Sequence, residues 1–136
     1  MDAFDADVVI YAAVAGHPLG RRVRALFPVE PEAMAGVGSV LLLPEVLAKP
    51  MRDGSAAEVA ALAGLLGRLD LRSVDPFTAE VATTLASEYR LRAADAVHLA
   101  TAVVVGADRF VTNNRREFPA SISEIEVTYP EDLDEP

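Results

Sequence analysis

The stretch ADAVHLATAVVVGADRFVTNNRREF, residues 94–118, decides the fold. Its first half is apolar almost all round, and with Ala93 it predicts a central helix over residues 93–105. Gly106, Ala107 and Asp108 then break the pattern, with Asp108 a turn residue. Arg109 to Thr112 predicts a strand, and a polar loop from Asn113 to Glu117 follows it. Helix, turn and strand in this order set the rhythm of an α/β domain.

The same alternation continues outward. Residues 77–90 predict another helix, joined to the first near Arg90–Arg92. Leu69 to Val74 predicts a strand closed by Asp75-Pro76. Ser55 to Arg68 is helical, with Ser55 as N-cap and Glu58 completing a capping box. Val37 to Leu43 is a continuous apolar run ended by Pro44, as expected of a buried parallel strand. Pro44 suits the first position of a helix. Leu19 to Phe27 has apolar residues at 19, 23, 26 and 27, which is helical spacing. Val8 to Ala15 is apolar throughout and reads as a helix beginning just after Asp5. Residues 2–5 form a short first strand, and Glu124 to Tyr129 a last one. Parallel strands near residues 2–5, 37–43, 70–74 and 109–112 imply right-handed helical crossovers.

At 136 residues the chain is expected to form one domain spanning 1–136, with a proper core. Apolar residues make up 51%, yet no run is long enough to span a membrane. The start MDAFDAD has no basic region of the kind a signal peptide needs, so a cytoplasmic location fits. The absence of cysteine excludes disulfides, thiolate zinc sites and cysteine nucleophiles. A net charge of −9, from 12 basic and 21 acidic residues, argues against a generic nucleic-acid-binding surface. Lys49 is the sole lysine among the basic residues. Residues 130–136 are expected to be a solvated acidic tail.

Four polar residues stand at the ends of apolar runs: Asp5, Glu45, Asp95 and Asn114. A carboxylate at the edge of a buried element is costly unless something compensates it. Three carboxylates and an amide, all at strand ends or inside a core helix, suggest a shared site for a hard divalent cation. Asp5 follows the first strand, where sites form in parallel sheets. It is equally suited to cap the next helix, unless Asp7 shares that role. Glu45 follows Pro44 and also complements a helix dipole. Asp95 interrupts the stripe Leu91, Leu99, Ala102, and its plain alternative is a pairing with Arg92 or His98. His98 itself reads as a satisfied partner or core residue. Asn114 is either a turn residue or a neutral oxygen donor. Arg115 and Arg116 are candidates to meet a phosphate, or simply a solvated loop.

These motifs resemble the PIN domain, and within it the VapC-type toxins of bacterial toxin–antitoxin pairs. FDADVVIYA is similar to the family's opening motif and PEV to its glutamate segment. The segments ADAVHLATA and GADRFVTNNRREF are the most specific part. The resemblance covers nearly the whole chain. It implies a three-layer α/β/α fold, with a central, mainly parallel sheet flanked by helices. It implies a metal-dependent ribonuclease in which Asp5, Glu45 and Asp95 bind Mg2+ or Mn2+. The carboxylates hold one or two cations, and a bound water attacks the RNA phosphodiester. At the fourth position many members carry Asp where this chain has Asn114, and Glu117, three residues on, is a substitute donor. RNA binding would then rest on metals and local arginines. A cognate antitoxin would cover the site, with residues 19–27 and 44–66 as plausible contacts, and a homodimer is expected.

Two rivals stand beside this reading. FDADVV also fits the opening of a HAD-type phosphotransferase, but that family needs a later lysine and a paired acidic motif, and the acidic motif is absent. The second is a degenerate PIN domain that binds RNA or protein without cleaving, which Asn114 favours and the three carboxylates oppose.

Overall fold

The computed structural model describes residues 1–136. Five strands alternate with six helices. Strand β1 is Asp2–Phe4, followed by helices α1, Ala6–Ala13, and α2, Pro18–Arg24. Strand β2, Gly36–Ser39, leads into helices α3, Leu42–Arg52, and α4, Ala56–Leu66. Strand β3, Leu69–Arg72, leads into helices α5, Pro76–Tyr89, and α6, Ala93–Val104. Strands β4, Arg109–Val111, and β5, Glu126–Thr128, complete the sheet, and a short 3-10 turn follows at Pro130–Asp132.

All strand pairs are parallel, in the order β3-β2-β1-β4-β5. The chain builds outward from β1 through β2 to β3, then crosses back to place β4 on the other side of β1. That reversal puts a crevice beyond the carboxyl ends of β1 and β4, the position where parallel α/β sheets bind ligands. Consecutive strand residues point to opposite faces. Ala3 and Phe110 therefore pack into one core with Leu85, Leu99 and Phe118. Phe4 and Val111 pack into the other with Val8, Val23 and Leu66. A sheet with a core on each face and helices beyond both is the expected three-layer α/β/α arrangement.

Tight contacts fix the helices nearest β1. Gly20 of α2 lies against α1, where an added Cβ would sit 2.0 Å from the Tyr11 carbonyl oxygen. His17 caps α2, its Nδ1 accepting from the Gly20 N–H at 3.1 Å, while its ring stacks on Tyr11 at 4.5 Å.

Four details depart from the sequence expectation. The apolar run from Val37 to Leu43 is not one strand. It ends at Ser39, whose hydroxyl accepts from the Leu41 N–H at 3.1 Å and turns the chain into α3. Pro44 is thus the third helical residue, where its missing N–H still has no intrahelical partner to lose. Ser55 precedes α4 but makes no side-chain cap, so the capping box does not form. Asp75 is the N-cap of α5 rather than only a strand terminator, accepting from the Thr78 N–H at 2.8 Å. Residues 130–136 keep their acidic side chains exposed as expected, but the segment is tied to the fold rather than free. Leu133 is buried in the α1–α4 core. Arg22 donates to the Glu131 and Leu133 carbonyls at 2.8 and 2.9 Å and to the Glu135 carboxylate at 2.6 Å. No helix is long and apolar enough to cross a membrane.

Candidate active site

Asp5 leaves β1 in extended backbone and caps α1. Its Oδ1 accepts from the Ala6 N–H at 2.8 Å. Its Oδ2 accepts from the Thr112 hydroxyl, just past β4, at 2.8 Å. That hydroxyl also accepts from the Asn114 N–H at 3.1 Å. Asp5 is therefore both helix cap and bridge across the crevice, and Asp7 does not relieve it of capping. Asp7 instead accepts from the Asn113 N–H at 3.0 Å through Oδ2, and its Oδ1 is buried without a partner.

Glu45 lies in the first turn of α3, its side chain one-third exposed, and its Oε2 meets His98 Nε2 at 3.0 Å. The His98 side chain is wholly buried. The imidazole's partner is thus Glu45 and not Asp95. Asp95 is the third residue of α6 and only half-buried, whereas Leu91, Leu99 and Ala102 on the same stripe are buried. It sits where the core helix opens onto the crevice, not deep within it.

The charges act on one another. Burial raises the Asp5 carboxyl above its ordinary range, against hydrogen bonding from Thr112 and the field of His98, and Glu45 adds to the rise. Burial, then the charge of Asp5, pushes Asp7 up to about 7. Asp95 is raised by burial first, then by Asp5, Glu117 and Glu45. Five carboxylates thus share one electrostatic neighbourhood, and no lysine or arginine pairs with any of them. As the side chains stand, no three acidic or histidine groups converge tightly enough to define a metal site. The donors nonetheless suit a hard divalent cation: all are carboxylate oxygens, they are short of positive charge, and one buried oxygen has no partner.

The remaining candidates separate. The Asn114 Oδ1 accepts from the Glu117 N–H at 3.2 Å, and Phe118 N–H donates to the Asn114 carbonyl at 2.9 Å. Its amide oxygen is committed to a turn, while the Glu117 charge reaches Asp95. Arg115 lies 3.8 Å over the Tyr129 ring and pairs with Glu131. Arg116 is exposed. The largest cavity, about 410 Å3, lies beside α2 among Ala12, Arg21, Arg24 and Phe27, and none of the clustered carboxylates lines it. Sequence reasoning missed Asp7, Thr112 and the His98–Glu45 contact. Asp7 stands two residues after Asp5 and His98 one helical turn after Asp95, which were the available signals.

The family model of the PIN domain matches residues 3–120, most of the chain, and the protein belongs to that family. No curated protein sequence matches it. Among solved structures it is similar to a chain of a toxin-antitoxin complex from Klebsiella pneumoniae. The TM-score is 0.73 at 24% identity, over 96% of this chain and 98% of the other. That likeness establishes a shared fold.

Proposed function

We propose that this PIN-domain protein is a metal-dependent endoribonuclease of the VapC type, a toxin held inactive by a cognate antitoxin. One observation supports the reading: Asp5, Asp7, Glu45 and Asp95 act on one another's charge near the point where the chain reverses about β1, and no lysine or arginine pairs with them. Asp5, Glu45 and Asp95 would hold Mg2+ or Mn2+, with Glu117 as a further carboxylate and Asn114 in the supporting turn. When bound, the cation lowers the pKa of a water and offsets charge on the phosphodiester. Thr112 and the Ala6 N–H fix the Asp5 carboxylate. Arg116 is the freer of the two loop arginines to meet RNA, because Glu131 and Tyr129 hold Arg115.

The antitoxin partner is supported by the fold shared with a chain of a toxin-antitoxin complex. Residues 19–27 and 44–66 remain the proposed contacts, and homodimerisation and a cytoplasmic location belong to the same reading. A second reading has one observation in its favour. The Asn114 amide oxygen is used within its own turn, which leaves the cluster one donor poorer, as in a PIN domain that binds RNA without cutting it.

A panel of structured RNAs incubated with Mn2+, then with EDTA, separates the two. Cleavage that EDTA stops and that Asp95→Asn abolishes supports the nuclease. RNA bound but uncut at every Mn2+ concentration supports the second reading.

A further inference from the structure

Within the cluster, the carboxylates differ in how they are held. Asp5 has two donors and Asp7 one. Glu45 sits at the end of a longer side chain, in the exposed first turn of α3, and has a single donor, His98. We propose that His98 is a positioning residue: it draws Glu45 into the crevice and presents its carboxylate to the divalent cation. The proposal rests on the metal-dependent reading above.

The burial of His98 argues for this role. The residue is 2% exposed in the middle of α6, flanked by the buried Leu99 and Ala102. Its Nδ1 is buried and meets no partner. A proton on Nδ1 would have no acceptor, so geometry places it on Nε2, where it is donated to Glu45 Oε2 at 3.0 Å. An apolar side chain would fill the same position without stranding a nitrogen. What the imidazole adds is the single bond from α6 to α3. That bond occupies Oε2 and leaves Oε1 without a protein donor. It also limits rotation of a side chain that would otherwise extend into water. Thr112 restrains Asp5 in the same way from β4. Donors behind metal-binding carboxylates commonly set metal affinity through orientation.

The test is Mn2+ binding to the full chain without RNA, read from the paramagnetic resonance signal of free Mn2+. Melting curves confirm that each variant folds. His98→Leu fills the space without a donor, and His98→Asn keeps polarity but is too short to reach Glu45. His98→Gln places an amide N–H near the position of Nε2. The expected result is Mn2+ affinity lower by about tenfold to a hundredfold in whichever of H98L and H98N folds, with most of it restored in H98Q. In a Glu45→Gln background the same His98 changes should cost no further affinity, because the residue they act through is gone. Parent-like affinity in H98L or H98N would overturn the proposal. So would an equal loss in H98Q, or an undiminished loss in the E45Q background. Each of these leaves the metal-dependent reading standing, whereas a parent that binds no Mn2+ removes both.

Discussion

Asp5 caps a helix and bridges a crevice with the same carboxylate, and Thr112 makes that possible. Its hydroxyl donates to Asp5 while accepting from the Asn114 N–H. Thr112→Val keeps the shape but leaves a buried carboxylate oxygen and a backbone N–H short of partners. We expect a loss of about 1–3 kcal/mol in urea unfolding. The raised carboxyls make a second prediction, whose sign follows from proton binding. A carboxyl with a folded-state pKa above its unfolded value costs nothing below the unfolded value, and its cost grows as pH rises to the folded one. Asp7, pushed up to about 7, therefore destabilises the metal-free protein progressively from about pH 4 to pH 7, and Asp5 and Asp95 act in the same direction. Asp7→Asn should melt above the parent at pH 8 and close to it at pH 4. Mn2+ should raise the parent's melting temperature more at pH 8 than at pH 5; an equal rise at both would contradict the cluster's electrostatics. Asp5, Glu45 and Asp95 were visible in the sequence because each breaks an apolar run. Asp7 was not, because an acid in the first turn of a helix is ordinary, and only Asn113, about a hundred residues away, shows that it is buried.

The elements were legible in proportion to their periodicity. Helices α5 and α6 lie within a residue or so of their expected bounds, since each has a long apolar face. The β2–α3 boundary was not legible, because VLLL is equally apolar as strand or as first helical turn. Ser39 settles it by a side-chain bond that periodicity cannot register. Ser55 shows the converse: a local capping signal is present, yet no side-chain cap forms directly after the turn at Gly54, whose φ is +70°. At this scale the α1–α2 contact is the most sensitive. Gly20→Ala would place a Cβ 2.0 Å from a backbone carbonyl that cannot swing aside. The helices must separate, at a cost of about 1–3 kcal/mol, measurable as a lower urea midpoint. Gly64→Ala is the control, since a Cβ there meets nothing within 4 Å and helix propensity favours it.

At the scale of the whole molecule, a net charge of −9 and a cluster of uncompensated carboxylates work together. On the proposed ribonuclease reading, a surface of this sign offers RNA little attraction, so RNA binding should need the divalent cation. The acidic C-terminus contributes to that charge yet is part of the fold. Its composition suggested a solvated tail, but composition alone cannot reveal that one residue, Leu133, reaches the core while its acidic neighbours remain outside. Leu133 is 6% exposed and packs with Phe4, Val9 and Val23. Arg22 secures the segment by two backbone carbonyls and Glu135. Leu133→Ala should therefore cost about 2–5 kcal/mol, through lost burial and the cavity left behind. Arg22→Ala should cost less, because its carboxylate partner is exposed and surface pairs are weak. Leu133 lies beside Arg109, the first residue of β4, and none of the clustered carboxylates hydrogen-bonds to the C-terminal segment. Mn2+ affinity per folded molecule should accordingly remain at the parent value in both variants. A fall in affinity that exceeds the fall in folded fraction would place the C-terminal segment within the site rather than behind it.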